Sequence, residues 1–454
     1  MPPHPHARPD VMAALREDRA SVSFLEGTTA VYVKGNRAMS EDDVNRTLSD
    51  WMHWYRIYTS DADSVDQRQL ADFTERFAEM VIGVGGARQA DEILAVLDSA
   101  IRRSLESGSQ VGSLYLAKAS VLGMGIAESE ERHELYVEAV AAASPGTADW
   151  MRAMLALARY RTDTSRYGDA LKLCREIRRH ISDATADFEC GVLAEEGIAR
   201  FTSFRQLRAA EESLAHACGS TWEDRAHDIQ AVARWVASAY HYRARLADLD
   251  GDHAPALELY LRGAEFQRLC PQETYSTAFV HLRISEPLIS MALFDDAQEH
   301  LNEAQRGFDN CRNKASGDQQ AQLGSATLAA ARGDIAKARG LIETVLEEAR
   351  AKNYWRGELL ALGFLLALES RALRAGRVLR HSWQILRTLR RGELARNGTI
   401  LVLTRIPLLL PVAVRRMSRP QVRLRRLRRS RDPRPRLDRC PCPLHDRSAV
   451  AGSG

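Results

Sequence analysis

The 454-residue sequence predicts an all-α protein. The expected architecture is a right-handed α-α superhelix of stacked helical hairpins, preceded by a small mixed segment and followed by a basic, disordered tail. Three observations carry this expectation. A phrase recurs: a small-residue helix, a tight polar turn, then Ala and a large apolar residue opening a second helix. It reads ARLADLDGDHAPALELYLRGA at 244–264, LISMALFDDAQEHLNEA at 288–304 and LAAARGDIAKARGLIETVL at 328–346. Self-similarity of this kind marks a stack of like units. The pivot alanines, Ala170, Ala210, Ala256, Ala297, Ala338 and Ala375, are 40, 46, 41, 41 and 37 residues apart, a mean of 41. Finally, hydrophobic residues make up 45% of the chain and charged ones 27%, enough apolar material for a continuous core.

Taken in order, residues 1–20 begin MPPHPHARPD, rich in Pro and His and without the apolar run of a signal peptide. They are expected to be disordered. Residues 21–86 form an N-terminal cap on this reading. SVSFLEGTTAVYVKG at 21–35 alternates loosely, as a small hairpin does. Ser40 and Asp43 resemble a capping box opening a helix. On it Trp51, Trp54, Tyr55 and Tyr58 share one face, a spacing that serves core packing more often than base stacking. A second helix is expected over 65–81, ended by Gly83, Gly85 and Gly86.

Helical periodicity then runs almost unbroken, and the repeat domain is placed at 87–411. Small pivots let antiparallel helices approach closely. The residues four positions on (Cys174, Leu214, Tyr260, Leu301 and Ile342) share the pivot's face and fill the space beside it. Gly251, Ala292 and Gly333 stand five positions before their pivots, where a tight helix end requires a positive φ.

These residues resemble the tetratricopeptide repeat (TPR) family across roughly 87–391, most closely over 151–346. The matching positions are Ala244, Gly251, Asp252, Ala256 and Tyr260; Leu288, Phe294, Ala297, Leu301 and Ala304; and Gly333, Asp334, Ala338 and Ile342. The family's Pro after the second helix is missing, and the period exceeds its usual length of about 34. In their longer helices the units are similar to the sensor-domain repeats of large bacterial transcription activators. The resemblance implies a TPR-like solenoid that binds a protein or peptide in its groove. The alternative is the sensor or regulatory half of a larger transcriptional regulator or effector enzyme whose output domain is absent.

The net charge of +3 conceals a division. Residues 412–454 hold 13 Arg, no Lys and 3 Asp, a net +10, which leaves the first 411 residues at −7. The acidic body does not suggest a nucleic-acid binder, so nucleic acid is expected only through the tail. The tail reads as a solvated Arg/Pro-rich segment or as a shifted reading frame. The apolar stretch at 399–414 is interrupted by Arg405, Pro407 and Pro411, and no membrane span is expected. Seven scattered cysteines suggest no disulfide framework and fit a reducing, cytoplasmic setting.

No constellation supports catalysis, a cofactor or a metal, so the chain is expected not to be an enzyme. GVGGAR at 83–88 lacks the Lys-Ser/Thr of a phosphate loop. His133-Glu134 lacks a second His, and CPCPLH at 440–445 lacks a second ligand pair. His241, Arg245 and Asp248 form a polar trio on one predicted helix. In a stack of hairpins the first helices line the concave side. Counting from each pivot places Arg152, Arg159, Glu195, Ser238, His241, Arg245, Asp248, Phe279, Leu282 and Glu286 on that side. Such a mixture suits a peptide or partner helix: pockets supply contact area and charges fix register. The basic carboxylate clamp of chaperone-binding members is not recognisable among them.

Overall fold

The computed structural model describes residues 90–391, apart from 109–110, 123–129, 165, 204–205, 271–273, 310–314, 352–354 and 372–373. The predicted hairpin, capping box and aromatic stripe of the cap lie outside the described residues. So do 83–88, the apolar stretch at 399–414 and the basic tail.

Among the described residues the regular structure is all helical. The helices are α1 (Ala90–Ser107), α2 (Gly112–Leu122), α3 (Glu130–Ala142), α4 (Ala148–Asp163), α5 (Tyr167–His180), α6 (Phe188–Ser203), α7 (Leu207–Ala217) and α8 (Ser220–Ala226). They continue with α9 (Gln230–Asp250), α10 (His253–Gln267), α11 (Thr274–Ser290), α12 (Phe294–Asp309), α13 (Ala315–Ala331), α14 (Ile335–Ala351), α15 (Trp355–Arg371) and α16 (Ala375–Arg391). A 3-10 turn, Asp183–Thr185, links α5 to α6.

Consecutive helices pair as hairpins: α2 with α3, α4 with α5, α6 with α7, α9 with α10, α11 with α12, α13 with α14 and α15 with α16. The pivots explain why. Ala170, Ala210, Ala256, Ala297 and Ala338 are all buried, as are their partners Cys174, Leu214, Tyr260, Leu301 and Ile342. Where α6 meets α7 the approach is closer still. A Cβ added at Gly197 would come within 2.5 Å of Leu214 and 3.2 Å of the Ala210 carbonyl. The one long step, from Ala210 to Ala256, is filled by the short inserted helix α8.

The turns follow the expected chemistry. Gly251, Ala292 and Gly333 all have positive φ, at 86°, 65° and 95°. The residue after each donates back to a carbonyl five positions earlier, Asp252 to Ala247, Leu293 to Leu288 and Asp334 to Ala329, each at 2.9 Å. These bonds satisfy carbonyls that a helix end leaves bare. Ala292 holds its angle without the freedom of glycine.

Hairpins stack through a continuous series of cores. One contains Phe201, Leu214, Val236 and Phe266, the next Tyr260, Leu288, Leu301 and Phe308, and the last Leu323, Ile342, Leu362 and Leu365. First helices pack directly on one another: α2 on α4, α4 on α6, α6 on α9, α11 on α13 and α13 on α15. Among the described helices no pair of second helices packs comparably. A stack whose first helices are the closer layer curves toward them, so they form the inner side of an all-α superhelix. Among the described first helices only the α9–α11 step breaks this inner layer, because their backbones do not come into comparable contact.

Candidate functional site

The inner face carries charge in pairs until that break. On α4, Arg159 meets Glu195 of α6 in a fork: Nε donates to both carboxylate oxygens at 2.8 Å, and Nη2 lies 2.6 Å from Oε1. Glu195 is buried, and burial works against the charge of Arg159. The carboxylate outweighs that penalty and raises the guanidinium pKa above its ordinary value. Burial, the larger effect, raises the Glu195 carboxyl above its ordinary pKa, and the Arg159 guanidinium works against that rise; the fork has the bidentate geometry of a charge-assisted pair. Beside it Arg178 and Arg200 converge on the buried Glu196, at 3.2 and 3.5 Å.

At the break the arrangement changes. His241, Tyr242 and Arg245 come from α9, Tyr260 from α10, and Phe279, Arg283 and Glu286 from α11. The His241 ring packs edge-on against Tyr260 at 5.5 Å and Tyr242 at 5.3 Å. Arg245 lies 4.9 Å from the Phe201 ring centre and 5.2 Å from that of Tyr242, so aromatic faces support its cation. Arg283 pairs with Glu286, donates to Gln320 Oε1 at 2.8 Å and lies 5.9 Å from the Phe279 ring. Burial, then the cations Arg245, Arg283 and Arg159, hold the His241 pKa well below its usual 6.5, so the ring is neutral at pH 7. Burial and the Glu286 carboxylate raise the Tyr260 phenol, which stays protonated.

Of the residues anticipated from spacing, Arg159 and Glu195 pair between α4 and α6, and His241, Arg245 and Glu286 lie at the break on α9 and α11. Phe279 stands at its edge, half-buried, with its ring edge-on to Phe308 at 5.1 Å. Ser238 is one helical turn before His241 on α9 and is half-buried. Arg152 lies two turns before Arg159 and pairs with Asp149 of its own helix at 2.8 Å.

Two expectations need correction. Asp248 does not face the groove: its Oδ1 meets Nδ1 of His253 at 2.7 Å, both residues are buried, and together they tie α9 to α10. Leu282 is buried in the core of the α11–α12 hairpin. Both sit on the correct helices, but the pair packing α9 against α10 and α11 against α12 turns these positions inward. Conversely, Phe201, Tyr242, Tyr260 and Arg283 contact these residues and were not anticipated. Tyr260 was legible as a packing residue, and its hydroxyl is the part that spacing cannot place.

Among the described residues no group of three or more His, Cys, Asp or Glu side chains is arranged to hold a metal ion. None of the described helices is long and apolar enough to cross a membrane.

No family model matches this chain, and no curated protein matches it. Solved structures do. A human IFIT1 dimer with PPP-AAAA and the same dimer with m7Gppp-AAAA are each 13% identical, with 89% of this chain and 89% of that chain covered and a TM-score of 0.41. A monomeric IFIT1 mutant with Gppp-AAAA is 14% identical, covers 88% of this chain and 89% of its own, and has the same TM-score of 0.41. A likeness of this degree bears on neither ligand nor partner.

Proposed function

We propose that this protein is a non-catalytic scaffold that binds a protein or peptide on its inner face, centred on the α9–α11 break. One observation supports the reading above the others. Charged and aromatic side chains from four first helices (α4, α6, α9 and α11) gather beside the step where α9 and α11 come into little backbone contact. A peptide laid there would meet the partly buried rings of Tyr242 and Phe279 for contact area and fixed charges for register. No bond is made or broken on this reading. The cytoplasmic setting belongs to it as well, with Cys174, Cys190, Cys218 and Cys270 as buried, unbridged thiols.

Affinity capture with the full chain, followed by cross-link mapping, tests the proposal. Cross-links should concentrate on α9 and α11, and the double variant Arg245→Ala/Phe279→Ala should lose captured partner at least tenfold. Undiminished capture, or cross-links confined to the outer helices, would remove this face from the function.

A further inference from the structure

The last described helix leaves bare a stripe that the rest of the stack covers. Every earlier described second helix packs against the first helix that follows it: α3 on α4, α5 on α6, α7 on α9, α10 on α11, α12 on α13 and α14 on α15. Among the described residues α16 has no such successor. The turns give the register for comparing α16 with α10. Asp252 donates to the Ala247 carbonyl at 2.9 Å before α10, and Arg374 donates to the Glu369 carbonyl at 3.1 Å before α16. Five, nine and twelve residues after these donors stand Leu257, Leu261 and Ala264 on α10, and Leu379, Trp383 and Leu386 on α16. On α10, Leu257 and Ala264 are buried and Leu261 packs beside them, in one core with Ala278, Ile284 and Leu288 of α11. On α16, Leu379 is 71% exposed, Trp383 is 60% exposed and Leu386 is half-buried. The helix itself is firmly seated on another side, through Ile385 in the core with Leu362 and Leu365. Large apolar side chains at i, i+4 and i+7 make a continuous stripe, the kind of surface that a stacked array buries against its next unit.

The sequence supplies an occupant at the right distance. Seven residues, 392–398, separate α16 from the apolar stretch TILVLTRIPLLLPVAV at 399–414. The links from a second helix to the next first helix elsewhere are of the same length: 181–187 before α6, 268–273 before α11 and 310–314 before α13. Charge agrees with this occupant. α16 holds five Arg and no Asp or Glu, and Arg387 lies 5.6 Å from the Trp383 ring centre. The stretch at 399–414 carries a single charge, Arg405, and so brings little repulsion to that surface. A second copy of α16 meeting the first symmetrically would instead set Arg380 and Arg387 against their own counterparts. We propose that residues 399–414 dock on the stripe of Leu379, Trp383 and Leu386, covering for α16 the positions that α11 covers for α10.

Hydroxyl-radical footprinting of the full chain, resolved to single residues by mass spectrometry, tests the docking. Trp383 should be oxidised about tenfold more slowly than the tryptophan of a free peptide of the same local sequence. The triple variant Leu401→Asn/Leu403→Asn/Leu409→Asn should restore the peptide's rate at Trp383. Trp150, buried on α4, should stay protected in both chains and so report an intact stack. Reciprocally, Leu379→Asn/Trp383→Asn should speed amide hydrogen exchange over 399–414 by about tenfold and leave α9 to α14 unchanged.

Oxidation of Trp383 at the peptide's rate in the unaltered chain would overturn the proposal. So would protection that survives the triple substitution. Protection that disappears on dilution, together with a dimeric mass by light scattering, would give the stripe to a second copy. Protection that requires added vesicles of phosphatidylcholine and phosphatidylserine, at roughly 7:3, would give it to an anionic bilayer surface. Either result removes 399–414 from α16.

Discussion

The inner face has two neighbouring stretches that both carry arginine, and they behave differently. Between α4 and α6 the helices touch, and Arg159 is locked to Glu195 by a fork of short bonds. Between α9 and α11 the backbones make little contact, Arg245 rests on aromatic rings, and among the described residues the buried Tyr260 hydroxyl and Arg283 Nε meet no hydrogen-bond partner. The comparison teaches that an arginine on a concave surface is not in itself a binding group. Whether it glues the stack or faces a ligand depends on whether the next first helix brings it a carboxylate.

The largest expected effect tests the closed stretch. Glu195→Gln leaves Arg159 facing a neutral amide in a mostly buried place, and should cost about 3 kcal/mol in urea denaturation. The matching change across the break, Glu286→Gln, should cost only about 1 kcal/mol. There Gln320 still accepts from Arg283, and Glu286 is 27% exposed and so partly solvated. Equal costs would abolish the distinction between the two stretches.

The turns give a smaller test. Ala292 closes the α11 hairpin, one wall of the break, with a φ that L side chains avoid. Ala292→Gly should stabilise the chain by about 0.5–1 kcal/mol, and Gly333→Ala in the next hairpin should destabilise it by about 1 kcal/mol. If calorimetry shows the same sign for both, the two turns are not equivalent.

The smallest effect concerns pH. The folded pKa of His241 is depressed, so between that value and 6.5 the unfolded chain binds a proton that the folded chain refuses. The stability from its neutral ring is fully present above about pH 6.5 and is lost as pH falls below it. His241→Gln should flatten the stability profile between pH 7 and 5.5 by about 0.5 kcal/mol, allowing for solvent screening of a partly exposed ring. An unchanged slope would show that the cations around His241 are too well screened to matter.

Much of the stack was legible in one dimension because its causes are local. A small residue at Ala256 or Ala297, a large one four positions later and a left-handed turn five positions earlier each act within a few residues of chain. The first-helix residues of the inner face were legible for the same reason, since i and i+4 share a side. Asp248 and Leu282 were misplaced because an inner-facing residue and one turned toward the hairpin partner differ by only part of a helical turn. The partner helix decides between them.

From the order of residues alone came the all-α class, the pivots, the positive-φ turns and the set of helices that face inward. These depend on backbone geometry and on contacts between adjacent segments. Only the tertiary structure decided that α9 and α11 make little backbone contact, that Glu195 reaches Arg159 across 36 positions, and that the buried Tyr260 hydroxyl lies within electrostatic reach of Arg245. Those are sums of packing over several helices, and no short window of sequence contains all their terms.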